Sequence, residues 1–292
     1  MILLVVSRNL TRVTVKNKSF SLLTFVPTPI GNIGDTSLRT LEVLSEADIL
    51  LCEDTRVTKK LLHILQERYN LTCKQNQEFI SLHSHNEKAF LSKITSSFFD
   101  ANVVYVSDAG MPGVSDPGAL LIQYAQENGI EYDVLPGANA VLTAYVASGF
   151  DDAKMLFYGF LDHKGNSRTA QLQEALYNGY TTVLYESPHR LEKLLKELAQ
   201  EVPEREIFLA KELTKRYQRY LKGDAQTLLE ELNGNFKGEW VVVIDAAAKQ
   251  NASAISENDI TALDLPKKVQ AKLISKITGE KPKEVYQRLL SI

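Results

Sequence analysis

The strongest constraint on the fold is an alternation of short apolar runs with segments of helical period. Between residues 23 and 149 the apolar runs read LTFVPT, DILLCED, FISLHSH, NVVYVSDA and EYDVLPG, and segments such as SLRTLEVLSEA and GALLIQYAQENG lie between them. Such alternation is typical of a parallel sheet with helices on both faces. The sequence therefore predicts an α/β fold whose first unit is an αβα lobe.

The same rhythm continues after residue 149 with one difference. The runs MLFYGF, TTVLYES, REIFLAKEL and GEWVVVIDA again predict strands, but YQRYLKG follows REIFLAKEL with no helical segment between them. Two consecutive strands without a crossover helix pair antiparallel, so this sheet is predicted to be mixed. The predicted organisation is an N-terminal extension (1–22), an N-terminal αβα lobe (23–149), a C-terminal αβα lobe (150–248), a linker (249–265) and a basic helical tail (266–292).

Composition narrows the class of protein. The 292 residues are 44% hydrophobic with a net charge of −3, which is typical of a globular protein and argues against a general polyanion binder. No apolar run is long enough to predict a membrane span. Cys52 and Cys73 belong to no CxxC pair, which favours a reduced cytoplasmic setting. In residues 1–22 the apolar run precedes the basic residues, the wrong order for a secretory signal, so an extra strand or an upstream translation start is preferred.

Three turns rich in glycine and proline follow predicted strands of the first lobe. They read PTPIGNIGD (27–35), SDAGMPGVSDPG (107–118) and LPGANA (135–140). The carboxyl ends of parallel strands lie along one edge of a sheet, so the three turns are predicted to meet in space. None of them matches the dinucleotide-binding or P-loop pattern, which leaves a nucleoside-like ligand held by backbone groups.

The composition of these turns indicates how they would hold a ligand. Glycine tolerates positive φ and lets the backbone approach a ligand closely, and we expect this of Gly31, Gly110 and Gly137. Ser115 or Asp116, followed by Pro117, predicts a helix start whose free N–H groups favour an anionic or polar group.

Several stretches together resemble the small-subunit ribosomal RNA methyltransferase I family of the tetrapyrrole-methylase-like superfamily. The resemblance runs from about residue 23 to the end of the chain. It rests on the stretches SDAGMPGVSDPG, SLHSHNE, VLPGANAVLTAYVASG, LYESPHRLEKLL and AKELTKRYQRYLKG. Met111 stands where the family is expected to have threonine, and Ala138–Asn139 where a Pro-Ser pair is expected. Met111 is the departure that bears on the fit around a cofactor.

The resemblance implies two αβα lobes with S-adenosylmethionine in the cleft between them. It also implies a homodimer that transfers methyl to the ribose 2′-oxygen of a decoding-centre cytidine in 16S rRNA. The cofactor-binding residues it implies are Pro29, Ile30, Gly31, Asp108, Gly110, Met111, Ser115, Asp116, Pro136, Gly137, Asn139, Ala140, Tyr185, Glu186 and Ser187.

A base that takes the proton of the ribose hydroxyl would assist this reaction. Glu53, His85 and Glu186 are the leading candidates, and Asp54, His83, His189, Lys211 and Glu212 stay open beside them. The two histidines of SLHSHNE lie on one face of an extended chain, a spacing seen in metal sites, but no third ligand is apparent and no metal is predicted.

Clustered cations suit phosphate contacts despite the acidic balance, and the family resemblance implies that the RNA they contact is 16S rRNA. The tail 266–292 holds seven basic and two acidic residues, a net charge of +5. Two cations, His189 and Arg190, open a helix where its dipole disfavours them, so a phosphate partner is predicted there. The predicted RNA-binding residues are Arg56, Lys59, Lys60, His189, Arg190, Lys211, Lys215 and Arg216, with Tyr217 and Tyr220 available for base stacking. Two alternatives stay open: a tetrapyrrole-type small-molecule methylase and a non-enzymatic ribosome-binding factor.

Overall fold

A five-stranded parallel sheet forms the centre of the first lobe. The computed structural model describes residues 23–151, 154–246 and 256–290, so the predicted extension 1–22 lies outside the described residues. The strands are β1 (Leu23–Val26), β2 (Ile49–Cys52), β3 (Glu78–Ser81), β4 (Val103–Val106) and β5 (Tyr132–Val134), in the order β3-β2-β4-β1-β5. Every pair in this sheet is parallel, as predicted.

Helices cover both faces of this sheet. One face carries α1 (Leu38–Glu46) and α2 (Thr55–Tyr69), whose leucines pack on Leu50 and Val104. The other face carries α3 (Glu87–Leu91) and α4 (Ala119–Glu127), together with a 3-10 turn at Ser96–Asp100. Two apolar cores therefore hold the sheet rigidly, which fixes the turns at its carboxyl edge.

The second sheet is mixed, as predicted. Its strands are β6 (Met155–Gly159), β7 (Thr181–Glu186), β8 (Ile207–Lys211), β9 (Arg219–Gly223) and β10 (Trp240–Ile244), in the order β6-β7-β10-β8-β9. Only β6 and β7 pair in parallel, whereas β10 runs antiparallel to both of its neighbours. β8 and β9 form the predicted direct hairpin. The helices α6 (Gly165–Tyr177), α7 (Leu191–Glu201) and α8 (Ala225–Leu232) pack on one face.

The helix α5 (Ala140–Ser148) covers the opposite face of the second sheet. Its Val141 and Ala144 pack among Val183, Phe208 and Val241. α5 precedes the predicted lobe boundary at residue 149, yet its apolar side completes the second core. The chain segment just after the third turn thus ties the two lobes together.

Three helices form a small unit at the end of the described chain. They are α9 (Glu257–Thr261), α10 (Lys267–Thr278) and α11 (Pro282–Leu290). Their core is built from Ile260, Ala271, Ile274, Val285 and Leu289. The two tail helices match the prediction, but the predicted linker contains α9, which Ser256 and Asp259 close with a reciprocal capping box. Among the described residues no helix has the length and apolarity needed to cross a membrane.

Candidate functional site

A cleft of about 380 Å³ lies where the turns of the first lobe face the second sheet. The three turns follow β1, β4 and β5, which are neighbours in the sheet, so they meet as predicted. Side chains from both lobes surround the cleft: Ile30, Ala109, Gly110, Met111, Val114, Ser115, Asp116, Asn139, Ala140, Phe160, Tyr185, Glu186, Ser187, Pro188, Ala210, Leu213, Glu239, Trp240 and Val241. A half-enclosed space of this size suits a nucleoside-sized ligand.

Backbone pairing locks the first two turns together. The amide of Thr28 donates to Gly110 O at 2.9 Å, and the amide of Gly110 donates back to Thr28 O at 3.0 Å. Gly110 has φ +85, and a Cβ there would lie 3.1 Å from Cγ2 of Ile30. The prediction that Gly110 needs positive φ is confirmed, and the position admits no larger residue without strain.

The same prediction is wrong for Gly31 and Gly137, because neither has positive φ. A Cβ on Gly31 would lie 2.9 Å from Leu213 O and would also clash with Lys215 Cγ in the β8–β9 turn. A Cβ on Gly137 would lie 2.8 Å from Cβ of Pro27. Both glycines are small to let chain segments pack closely, and Gly31 makes this contact between the two lobes.

The predicted cap of α4 is also wrong. The helix begins at Ala119 with Gly118 (φ 127) as its N-cap, and neither Ser115 nor Asp116 caps it. Instead Oε1 of Glu87, a carboxylate only 4% exposed, accepts from Gly118 N at 3.2 Å and from Leu121 N at 3.1 Å. The carboxylate of Glu87 on α3 thus occupies the N-terminus of α4, the kind of position at which helices often bind an anionic ligand group.

Most of the predicted cofactor residues line the cleft. These are Ile30, Gly110, Met111, Ser115, Asp116, Asn139, Ala140, Tyr185, Glu186 and Ser187. Pro29, Gly31, Asp108, Pro136 and Gly137 are not among the lining residues. Asp108 instead supports the turn, because its Oδ1 accepts from Asp54 N at 3.0 Å and its own amide donates to Glu53 Oε2 at 3.2 Å.

The far wall of the cleft has no counterpart in the sequence prediction. It comes from Phe160 after β6, Leu213 in the β8–β9 turn, and Glu239 with Trp240 at the start of β10. Because β10 is antiparallel, its amino end lies beside the carboxyl ends of β7 and β8, with Trp240 paired to Glu186 and Lys211. The lone tryptophan of the chain, directly after a glutamate, is the signal that marks this wall in the sequence.

Acidic groups gather at the carboxyl edge beneath the cleft. Burial, followed by the charges of Glu53 and Asp108, raises the pKa of Asp116 to about 6. Burial also raises the pKa of Asp108, with the charge of Asp54 adding to it. Across the cleft, burial and the charge of Asp116 raise the pKa of Tyr185 to about 12, so the two lobes interact electrostatically.

The three leading candidates for the base lie in different surroundings. Glu53 accepts from the Asp108 amide and does not line the cleft. His85 is exposed, is not a lining residue, and stacks edge-on against His83 at 5.9 Å. Glu186 lines the cleft but is buried in ion pairs, with Arg190 Nε at 2.9 Å and Arg168 Nη2 at 3.9 Å. Within residues 23–151, 154–246 and 256–290 no group of three histidines, cysteines or carboxylates is arranged to hold a metal ion.

The predicted RNA-binding cations divide into paired and available groups. Arg190 has a carboxylate partner, Glu186, and also donates to Leu161 O, so the phosphate inferred from its place at a helix start is not needed to explain it. Salt bridges engage Arg56 with Asp54, and Lys215 with Glu212 and Glu239. Lys59, Lys211 and Arg216 lie over aromatic rings, and Lys60 and His189 are exposed.

Comparison with known proteins agrees with this geometry. The family model Tetrapyrrole (Corrin/Porphyrin) Methylases matches residues 22–229, which defines the class of protein. The crystal structure of diphthine synthase shares the fold with a TM-score of 0.57 at 15% identity, covering 76% of this chain and 89% of that chain.

Curated relatives narrow the class further. A protein of Campylobacter fetus named Ribosomal RNA small subunit methyltransferase I is 47% identical over 272 residues, 92% of this chain and 100% of that protein. One of the same name from Helicobacter pylori strain J99 is 44% identical over 284 residues, 92% of this chain and 98% of that protein. The chain belongs to the ribosomal RNA small subunit methyltransferase I family of the tetrapyrrole methylases, and it is an S-adenosylmethionine-dependent methyltransferase.

The cleft fits this cofactor. Met111, Tyr185 and Leu213 offer apolar surface for an adenine ring, and Ser115 and Ser187 offer hydroxyls for a ribose or an amino-acid group. Asp116 and Glu186 bring carboxylates to the cleft, and the carboxylate of Glu186 is paired with Arg190.

Proposed function

We propose that this protein methylates the ribosomal RNA of the small subunit, at the ribose 2′-oxygen of a decoding-centre cytidine in 16S rRNA. The observation that carries the proposal is the cleft between two lobes, built by the turns 27–35, 107–118 and 135–140 and closed by β7 and β10, in a chain 47% identical to a curated rRNA methyltransferase I. The choice of the ribose 2′-oxygen and of a cytidine rests on the motif resemblance.

The chain's own residues supply binding and orientation. When bound, S-adenosylmethionine supplies an electrophilic methyl group. Ile30, Met111 and Tyr185 would hold the adenosine by apolar contact, and Ser115 and Ser187 would orient its polar groups. The apolar wall of Leu213 and Trp240, which is 2% exposed, would shield one side of the cleft from water. Holding the reacting atoms close and in line removes much of the entropic barrier of a bimolecular transfer.

The RNA side of the proposal is supported by surface chemistry. Lys268, Lys272 and Lys276 are exposed and four residues apart, so they form a basic stripe along α10. At the tip of the β8–β9 hairpin the guanidinium of Arg216 lies 5.5 Å from the ring centre of Tyr217, and both side chains are exposed. Phosphate contacts by the stripe and base stacking at the hairpin suit a structured RNA. We propose that the protein acts in the cytoplasm and that it is a homodimer. The exposed apolar side chains of Leu142 and Val146 on α5 support the dimer.

A substrate panel tests this function. The protein is incubated with S-adenosylmethionine labelled in the methyl group and, separately, with small ribosomal subunits lacking the modification, naked 16S rRNA, and a tetrapyrrole such as uroporphyrinogen. We expect label in the RNA arms alone. Label in the tetrapyrrole arm would show a small-molecule methylase, and cofactor binding without label in any arm would contradict the proposed function.

A further inference from the structure

In the proposed reaction the ribose 2′-hydroxyl must lose its proton as its oxygen is methylated, and a carboxylate that lines the cleft, that of Asp116, can accept this proton. We propose that Asp116 is the proton acceptor of the methyl transfer, an assignment that rests on the proposed function. The resemblance implies only a cofactor-holding role for Asp116. The leading base candidates from the sequence are Glu53, His85 and Glu186, and of these three Glu186 alone lines the cleft.

The first line of support is which ionisable groups reach the cleft. Among the described lining residues these are Asp116, Tyr185, Glu186 and Glu239. Glu186 is neutralised by Arg190 at 2.9 Å, and Glu239 by Lys215 at 2.7 Å. Tyr185 is protonated at neutral pH, as a phenol ordinarily is, and burial raises its pKa further, to about 12. Asp116 takes part in none of the ion pairs between described residues, so its carboxylate is available.

The surroundings of Asp116 are suited to proton transfer. The charged and titratable groups that face it are Glu53 and Asp108 at the carboxyl edge of the first sheet, Tyr105 beneath, and Tyr185 across the cleft. All of these are acidic or neutral, and a hydrogen bond from the Ser107 hydroxyl offsets them only in part. Burial together with these neighbours brings the pKa of Asp116 to about 6. A general base is most effective when its pKa lies near the working pH.

The transfer balances with Asp116 in this role. The O–H bond of the ribose breaks and its proton passes to a carboxylate oxygen of Asp116. The electron pair of the ribose oxygen forms the new bond to the methyl carbon, and the carbon–sulfur bond breaks with its electron pair left on sulfur. Asp116 then loses the proton to solvent through the open side of the cleft.

The test compares the full-length variants Asp116→Asn, Asp116→Glu and Glu53→Gln with the wild type. Glu127→Gln, an exposed carboxylate at the far end of α4, is the matched control. Each protein is assayed for methyl transfer to small subunits under single-turnover conditions from pH 5 to pH 9, and cofactor affinity is measured by calorimetry. Circular dichroism checks that each variant is folded.

We expect Asp116→Asn to lower the transfer rate at least a hundredfold, in line with the usual contribution of general-base catalysis of about 10²–10⁴-fold, while cofactor affinity stays within threefold. Asp116→Glu should recover part of the rate. The wild-type rate should fall on the acidic side near pH 6, and Glu53→Gln should move that limb to lower pH because one neighbouring negative charge is gone.

Two results would overturn the assignment alone. One is wild-type methylation of rRNA with an Asp116→Asn rate within threefold of it. The other is an Asp116→Asn variant that loses cofactor affinity in proportion to its rate, which would show a binding role. A wild type that binds cofactor but labels no rRNA would instead overturn the proposed function, and with it the reaction that Asp116 is to serve.

Discussion

We expect the shape of the cleft wall to depend strongly on the side chain of Glu87. It reaches from α3 to the start of α4, where its Oε1 accepts from Gly118 N at 3.2 Å and Leu121 N at 3.1 Å. The turn it holds carries Met111, Ser115 and Asp116 into the cleft. Removing the carboxylate therefore perturbs both the stability of the lobe and the binding site.

The magnitude follows from these two bonds. A buried donor left without a partner costs about 1–3 kcal/mol, so Glu87→Ala, with two such donors, should lower the free energy of unfolding by about 3–4 kcal/mol after partial hydration. Glu87→Gln keeps an acceptor oxygen but loses the charge that favours a helix N-terminus, and about 1–2 kcal/mol is expected. A looser turn should also weaken cofactor binding in Glu87→Ala by about tenfold, or ~1.4 kcal/mol.

Urea unfolding followed by circular dichroism measures the stability change, and calorimetry measures the affinity. Hydrogen exchange with mass spectrometry should show faster exchange in residues 112–125 of Glu87→Ala. Glu127→Ala, which removes an exposed carboxylate from the other end of the same helix, should change stability by less than about 0.5 kcal/mol. A loss below about 1 kcal/mol in Glu87→Ala, with exchange unchanged, would refute this role for Glu87.

Three further variants test other contacts. Gly31→Ala should lower the melting temperature and the cofactor affinity, because its Cβ would lie 2.9 Å from Leu213 O. The control Gly223→Ala, whose Cβ would make ordinary contacts at 3.5 Å, should change neither. Equal effects of the two variants would contradict the close contact between the lobes. Tyr105→Phe should leave the free energy of unfolding in urea unchanged or raise it by up to about 1 kcal/mol, since the buried hydroxyl has no partner among the described residues. A decrease of more than about 1 kcal/mol would mean that the hydroxyl is hydrogen-bonded. Changing Lys268, Lys272 and Lys276 to glutamate should weaken rRNA binding and flatten its salt dependence without altering cofactor affinity, and an unchanged salt slope would exclude the α10 stripe from the interface.

The features that the sequence predicts well are those set by local patterns. The period-2 and period-3.6 runs identify the strands and the principal helices, and the composition of three turns locates the edge where the cleft lies. The direct succession of β8 and β9 identifies the mixed sheet. These inferences need only the residues of one segment and the geometry of parallel sheets.

Long-range packing limits the rest. Gly118 is capped by a residue 31 positions away, and nothing near Ser115 or Asp116 in sequence reveals that Glu87 does this instead. Gly31 is small because of Leu213 and Lys215 in another lobe, not because of its φ. β10 lies between β7 and β8 and runs antiparallel to both, so Trp240 reaches the site from the start of a strand. The rule that ligands bind at the carboxyl ends of parallel strands does not predict a site residue there.

The position of the methyl group on the nucleotide tests the central claim most directly. Small subunits labelled by the wild type are digested with alkali, which cleaves RNA only beside a free 2′-hydroxyl. The proposed function predicts that the label is recovered in an alkali-resistant dinucleotide that contains 2′-O-methylcytidine and maps to 16S rRNA. Label recovered in mononucleotides methylated on the base would contradict ribose methylation by this protein.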